Sequence, residues 1–103
     1  MSEWVKAARV SEVPEGQMKA VEVGYHNLVI CHTSDGFYAL DNECSHDSAP
    51  ISDGELKGKE MVCARHGARF NVEDGAVTAP PAVVGIESYE VKIDGDLIYV
   101  RVD

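Results

Sequence analysis

The chain has 103 residues, enough for one domain with a core of its own, so neither disulfides nor a metal must supply all of its stability. Its 18 acidic residues against nine basic ones leave a formal net charge of −9, which argues against a nucleic-acid partner and for a protein partner with a basic docking patch. No apolar run reaches membrane-spanning length, and the opening MSEWVKAARVSEV lacks the apolar stretch of a signal peptide. With three cysteines a fully paired disulfide framework is impossible, and the expectation is a protein of the reducing cytoplasm, away from membranes.

In chain order, WVKAARV reads as a strand, and Pro14-Glu15-Gly16 as a turn. Lys19 to Gly24 and Leu28 to Thr33 follow as two strands joined near Gly24–Asn27, and Ser34-Asp35-Gly36 turns the chain into Phe37–Leu40. Residues 42–60 break this rhythm. They are rich in Asp, Ser, Gly, Pro and Lys, and read as one long loop of the kind that is usually functional. A second irregular stretch is expected at Thr78-Ala79-Pro80-Pro81. In ESYEVKI, Tyr89, Val91 and Ile93 alternate with Glu90 and Lys92; in DLIYVRV, Ile98, Val100 and Val102 share one face. Asp94 and Gly95 between these runs signal a tight hairpin turn. No segment has a helical period. Short strands punctuated by Gly and Asp predict an all-β fold, an antiparallel sandwich or barrel, in a single domain spanning 1–103.

The chemistry-bearing residues gather at the two ends of CSHDSAPISDGELKGKEMVCARH. Cys44 and His46 form C-x-H, and Cys63 and His66 form C-x-x-H. Two thiolates and two imidazoles can hold several kinds of metal site. A structural Cys₂His₂ zinc is one, although its familiar layout keeps the cysteines at one end and the histidines at the other. Here each end supplies one of each, which suits a binuclear centre with both thiolates on one iron and both imidazoles on the other.

These residues and their flanks resemble the Rieske-type [2Fe–2S] ferredoxins. LDNECSHDSAPISDGEL is similar to the first cluster loop of that family and VCARHGARFNVEDGAV to the second. TAPPAVVGIESYEVKIDGDLIYV is similar to its proline loop and closing hairpin. The resemblance implies a Rieske-like sandwich or barrel with a small cluster-binding subdomain made of two loops, within about 42–70, and a proline loop near 78–82. It implies one [2Fe–2S] cluster per chain. Cys44 and Cys63 would hold the inner iron, His46 and His66 the outer one. It further implies a one-electron carrier, itself no enzyme, that takes electrons from an NAD(P)H-dependent flavoprotein reductase and passes them to a terminal oxygenase. Such a carrier is most simply a monomer.

The departures from the respiratory members of the family also speak. Where those carry a disulfide across the cluster, this chain has Ala49 and Arg65; where they carry hydroxyls that donate to sulfur, it has Ala68 and Phe70. With Asp47 adding negative charge, the expectation is a low-potential centre. Two other readings stay open: a small Rieske-like subunit of a reductase such as nitrite reductase, and a zinc-stabilised interaction module. Outside the motif, Cys31 in LVICH is expected to be a small buried hydrophobe, and His26 and His32 to be surface residues. Pro80 and Pro81 are expected to cover the cluster, Gly67 to let backbone approach it, and Arg65 to meet a carboxylate on a redox partner. Arg69 shares that basic patch and reads equally well as solvated surface charge.

Overall fold

A computed structural model describes residues 3–45, 49–65, 67–82 and 84–102. Eleven strands form three antiparallel sheets among these residues. The first sheet orders β1 (Glu3–Arg9), β11 (Leu97–Val102) and β10 (Val91–Asp94). The second orders β2 (Met18–Val23), β3 (His26–Thr33), β4 (Gly36–Asp41) and β9 (Ser88–Tyr89). The third is a small sheet of β5 (Glu55–Lys57), β6 (Glu60–Val62), β7 (Arg69–Asn71) and β8 (Val77–Ala79). The only helical elements among the described residues are two short 3₁₀ turns, Val10–Glu12 and Ile51–Asp53, and no helix is long and apolar enough to cross a membrane.

The middle sheet feeds two cores, and the run Leu28-Val29-Ile30-Cys31 shows how. All four side chains are fully buried. Period-two geometry sends Leu28 and Ile30 to one face, where they pack with Ala39, Ile98 and Val100. Val29 and Cys31 go to the other, where they pack with Leu40, Cys44, Met61, Cys63 and Phe70. An unbroken apolar run is what a strand covered on both sides requires. The second core, between the middle sheet and the small one, is where both motif cysteines lie.

The sequence reading is right about the all-β class and the antiparallel hairpins, and it needs three corrections. Residues 42–60 are not one loop, because β5 and β6 pair within them across a two-residue turn, Gly58-Lys59, with Gly58 at φ +63°. Leu56 and Met61 face each other in that hairpin and point inward, yet three-residue strands beside a Lys-Gly-Lys turn carry too little apolar alternation to register. Thr78 and Ala79 belong to β8, which pairs with β7 and ends at Pro80-Pro81 (a cis bond), where the missing N–H cannot extend the ladder. ESYEVKI is two strands, β9 on the middle sheet and β10 on the first. Ile93 accordingly stays 45% exposed at an edge, whereas Ile98, Val100 and Val102 are buried as expected.

Candidate metal centre

Cys44 follows β4 and Cys63 follows β6, and each opens a loop closed in the same way. The Cys44 N–H donates to the Ala49 carbonyl at 2.8 Å, and the Cys63 N–H donates to the Ala68 carbonyl at 2.8 Å. Both alanines are buried, and both cysteines sit in the same core cluster, 0% and 2% exposed. None of the three cysteines is in a disulfide. The expected partners His46 and His66 lie outside the described residues, as do Asp47 and Ser48.

Each loop has its own fastening. The first is clasped at its base by Asn42. Its side-chain NH₂ donates to the Ser52 hydroxyl at 2.9 Å, and its Oδ1 accepts from the Ser52 N–H at 2.8 Å. The second turns on Gly67, which holds φ +74° while its N–H donates to the Cys63 carbonyl at 3.1 Å. That left-handed conformation calls for glycine by itself. Among the described residues no atom lies within 4 Å of where a Gly67 Cβ would stand, so the space beside it is open on the protein's own side. The two loops meet at Gly54, at the end of the Ile51–Asp53 turn. A Cβ there would lie 1.8 Å from the Val62 carbonyl oxygen. Only a residue without a side chain lets the first loop rest on the root of the second.

The proline loop runs over the same region. Ala82 is buried in the core of the two cysteines. The Ser45 hydroxyl donates to the Val84 carbonyl, and the Ile86 N–H donates to the Gly75 carbonyl at 2.9 Å. Gly75, at φ +75°, is crossed so closely that a Cβ would stand 1.9 Å from the Ile86 carbonyl oxygen. Beside this loop an open groove is lined by Asp41, Glu43, Ser45, Asp74, Ile86 and Glu87, so four carboxylates border the first loop.

Cys31, His26 and His32 lie outside the two cysteine loops, whereas Arg65 lies within the second. Cys31 is buried as expected, and burial pushes its thiol up to about 12, so at neutral pH it stays protonated. The two outlying histidines are half-buried rather than on the surface. His32 stacks on Phe37 with centroids 3.9 Å apart and places Nδ1 2.7 Å from the Val13 carbonyl. His26 sets its ring edge against Tyr89, whose hydroxyl donates to Asp41 at 2.7 Å. Flat, half-polar rings cover the rims of the sheet where aliphatic side chains would leave polar groups unmet. Arg69 is paired with Glu60 at 3.2 Å, and the Glu60 carboxyl is held below its usual range first by the Thr78 hydroxyl and then by Arg69. Arg65 is exposed. Lys59 bridges Asp35 at 2.6 Å and Glu73 at 3.0 Å, and these carboxylates raise its pKa. That side chain ties the turn between β5 and β6 to the turns after β3 and β7. Asn42, Ser45, Gly54 and Gly75 went unread in the sequence, and only their turn-forming residue types hinted at them.

A thiol pair in one core with no disulfide, on two loops of matching closure, is a donor set for a soft or borderline metal, iron–sulfur or zinc. The comparisons with known proteins separate the two. A profile of the Rieske [2Fe–2S] domain matches residues 3–90. The ferredoxin component of a naphthalene 1,2-dioxygenase system from Pseudomonas aeruginosa is 36% identical over 97 residues, 94% of this chain and 93% of that one. The ferredoxin component of a 2,4-dinitrotoluene dioxygenase system from Burkholderia sp. (strain RASC) is 35% identical across the full length of both chains. Among solved structures, the ferredoxin of carbazole 1,9a-dioxygenase from Nocardioides aromaticivorans IC177 superposes with a TM-score of 0.89 at 32% identity, covering 94% of this chain and 95% of that one. A chain from a complex of reduced oxygenase and oxidized ferredoxin in carbazole 1,9a-dioxygenase gives 0.87 at 33%, covering 94% and 91%. A putative NADH-dependent nitrite reductase small subunit from Mycobacterium tuberculosis gives 0.88 at 17%, covering 100% and 97%, a likeness of fold alone. With its whole length matched in this way, the chain belongs to the Rieske [2Fe–2S] family.

Proposed function

We propose that this chain, read as one Rieske domain, is the one-electron carrier of an oxygenase system. Its cluster would be held by Cys44 and Cys63 on one iron and by His46 and His66 on the other. The observation that carries the assignment is the pair of buried cysteines in one core, on loops closed by the same hydrogen bond. The donor set fits the group. Two thiols buried in one apolar core suit the inner iron, and each is followed within three residues by an imidazole for the outer one. The cluster supplies a site that gains and loses one electron; the chain's own residues hold it, exclude water and present its edge.

The surroundings favour a low potential. Ala68 and Phe70, both fully buried, put hydrocarbon where hydroxyls would stabilise added negative charge, and Ala49 is likewise buried. The partners are a terminal oxygenase and an NAD(P)H-dependent flavoprotein reductase. The relatives are ferredoxin components of dioxygenase systems, and the four carboxylates beside the first loop suit a partner with a basic docking patch. The chain carries electrons as a cytoplasmic monomer, and the chemistry on substrate happens in its partner.

The test is to purify the protein anaerobically from iron-replete cells and reduce it. The expected result is a reddish-brown protein with a Rieske-type EPR signal and a midpoint well below the respiratory proteins. Cys44→Ser and Cys63→Ser should each abolish the signal. A colourless zinc-loaded wild type, or a midpoint among the respiratory proteins, would overturn the corresponding part of the assignment.

A further inference from the structure

We propose that Ser45 is a positioning residue, whose hydroxyl latches the proline loop onto the first half of the site. The two half-sites share their closure, although their histidines are offset by one residue: Cys44 matches Cys63, Ala49 matches Ala68, and Ser45 matches Ala64. Only the first has a hydroxyl after its cysteine, and that hydroxyl donates across 39 positions of sequence to the Val84 carbonyl. The loop has good anchors at its ends, with Ala82 in the core and the Ile86 N–H bonded to the Gly75 carbonyl at 2.9 Å. Between those anchors Val84 is 63% exposed, so burial does little to hold it. A hydrogen bond from Ser45 is what fixes this segment of backbone.

Ser45 and Val84 are both exposed, so their bond adds little to global stability. It acts on the local equilibrium between a closed and an open loop. When the loop opens, water reaches the first half-site, and added negative charge there becomes better solvated. The latch therefore holds the potential down. This second step rests on the cluster assignment above; the latch itself does not.

Hydrogen exchange on the whole protein tests the latch first. In Ser45→Ala the Ile86 amide should exchange about fivefold faster, the expected size for one lost hydrogen bond, while the amides of β11 stay as they were. Ser45→Thr keeps the hydroxyl and should restore slow exchange. Unchanged exchange at Ile86, a rise shared equally by β11, or a failure of Ser45→Thr to restore it would each overturn the latch. Redox titration tests the consequence: the midpoint should rise in Ser45→Ala and return in Ser45→Thr. An unaltered midpoint with a faster Ile86 would overturn the tuning role. The exchange result stands whether or not the protein carries the expected cluster, so failure of the latch is distinguishable from failure of the assignment.

Discussion

The two halves of the site meet the same requirement by different means. The Cys63 loop is the tip of a hairpin: β6 and β7 pair beneath it, with Met61 opposite Phe70 and Val62 opposite Arg69, and the Cys63–Ala68 bond is the next rung. The Cys44 loop shows no such ladder among the described residues. It leaves β4, makes the matching bond to Ala49, and is fastened by side chains, Asn42 on Ser52 and Ser45 on Val84. One half-site is positioned by backbone that almost any sequence of β-formers provides, the other by particular polar residues. The consequence is an asymmetric vulnerability, with point changes in side chains reaching the first half-site and changes in the small sheet reaching the second.

The largest expected effect comes from the place where the halves touch. Gly54→Ala puts a methyl group 1.8 Å from the Val62 carbonyl oxygen, and backbone, unlike a flexible side chain, cannot swing away. The Ile51–Asp53 turn must lift off the root of the second loop, at a cost of about 3 kcal/mol. Denaturant unfolding should show that loss, and the variant should retain its visible absorbance poorly because both half-sites move. A Gly54→Ala protein of wild-type stability would mean that the halves are independent.

Next in size is the clasp of the first half-site. Asn42→Ala removes both hydrogen bonds to Ser52, worth about 1–2 kcal/mol together. Ser52→Ala removes only the hydroxyl and leaves its N–H bonded to Asn42, so it should cost roughly half as much. The ordering is the sharper observation. If Ser52→Ala proved the more damaging, the backbone arm of the clasp would contribute nothing.

How legible these features were depends on how local their causes are. The ligand pairs were readable because each is a short motif, and Ile98, Val100 and Val102 were readable because a strand with one buried face alternates. The β5–β6 hairpin was hidden by its own turn, whose lysines and glycine outweigh Leu56 and Met61 in so short a window. Gly54 and Ser45 were unreadable for another reason. Their partners, the carbonyls of Val62 and Val84, are backbone groups brought close by the fold, and every residue in a sequence has one. His26 and His32 were only half legible on the same account, since places beside a turn and at a strand end suggest the surface while Tyr89 and Phe37 supply partial cover.

The smallest effect separates the halves by pH. Among the described residues the clasp at the base of the first half-site is neutral, Asn42 on Ser52, and does not titrate. The second is fastened across β6 and β7 by Glu60 and Arg69, and Glu60 also takes a hydrogen bond from Thr78 that holds its carboxyl below the ordinary 4.5. A carboxyl whose folded pKa is depressed adds stability that is fully present above its unfolded pKa. That stability is lost as pH falls through the lower folded value. Wild type should therefore exceed Glu60→Gln slightly at pH 7, and the gap should close as the solution is acidified below about 4.5, the ordinary carboxyl value. Partial exposure of both side chains keeps the effect small, and salt should shrink it further. Hydrogen exchange would locate the change: on acidification the amides of Cys63 and Phe70 should loosen more than that of Cys44. If acid loosened the Cys44 loop first, the contrast between a neutral and an ionic fastening would fail.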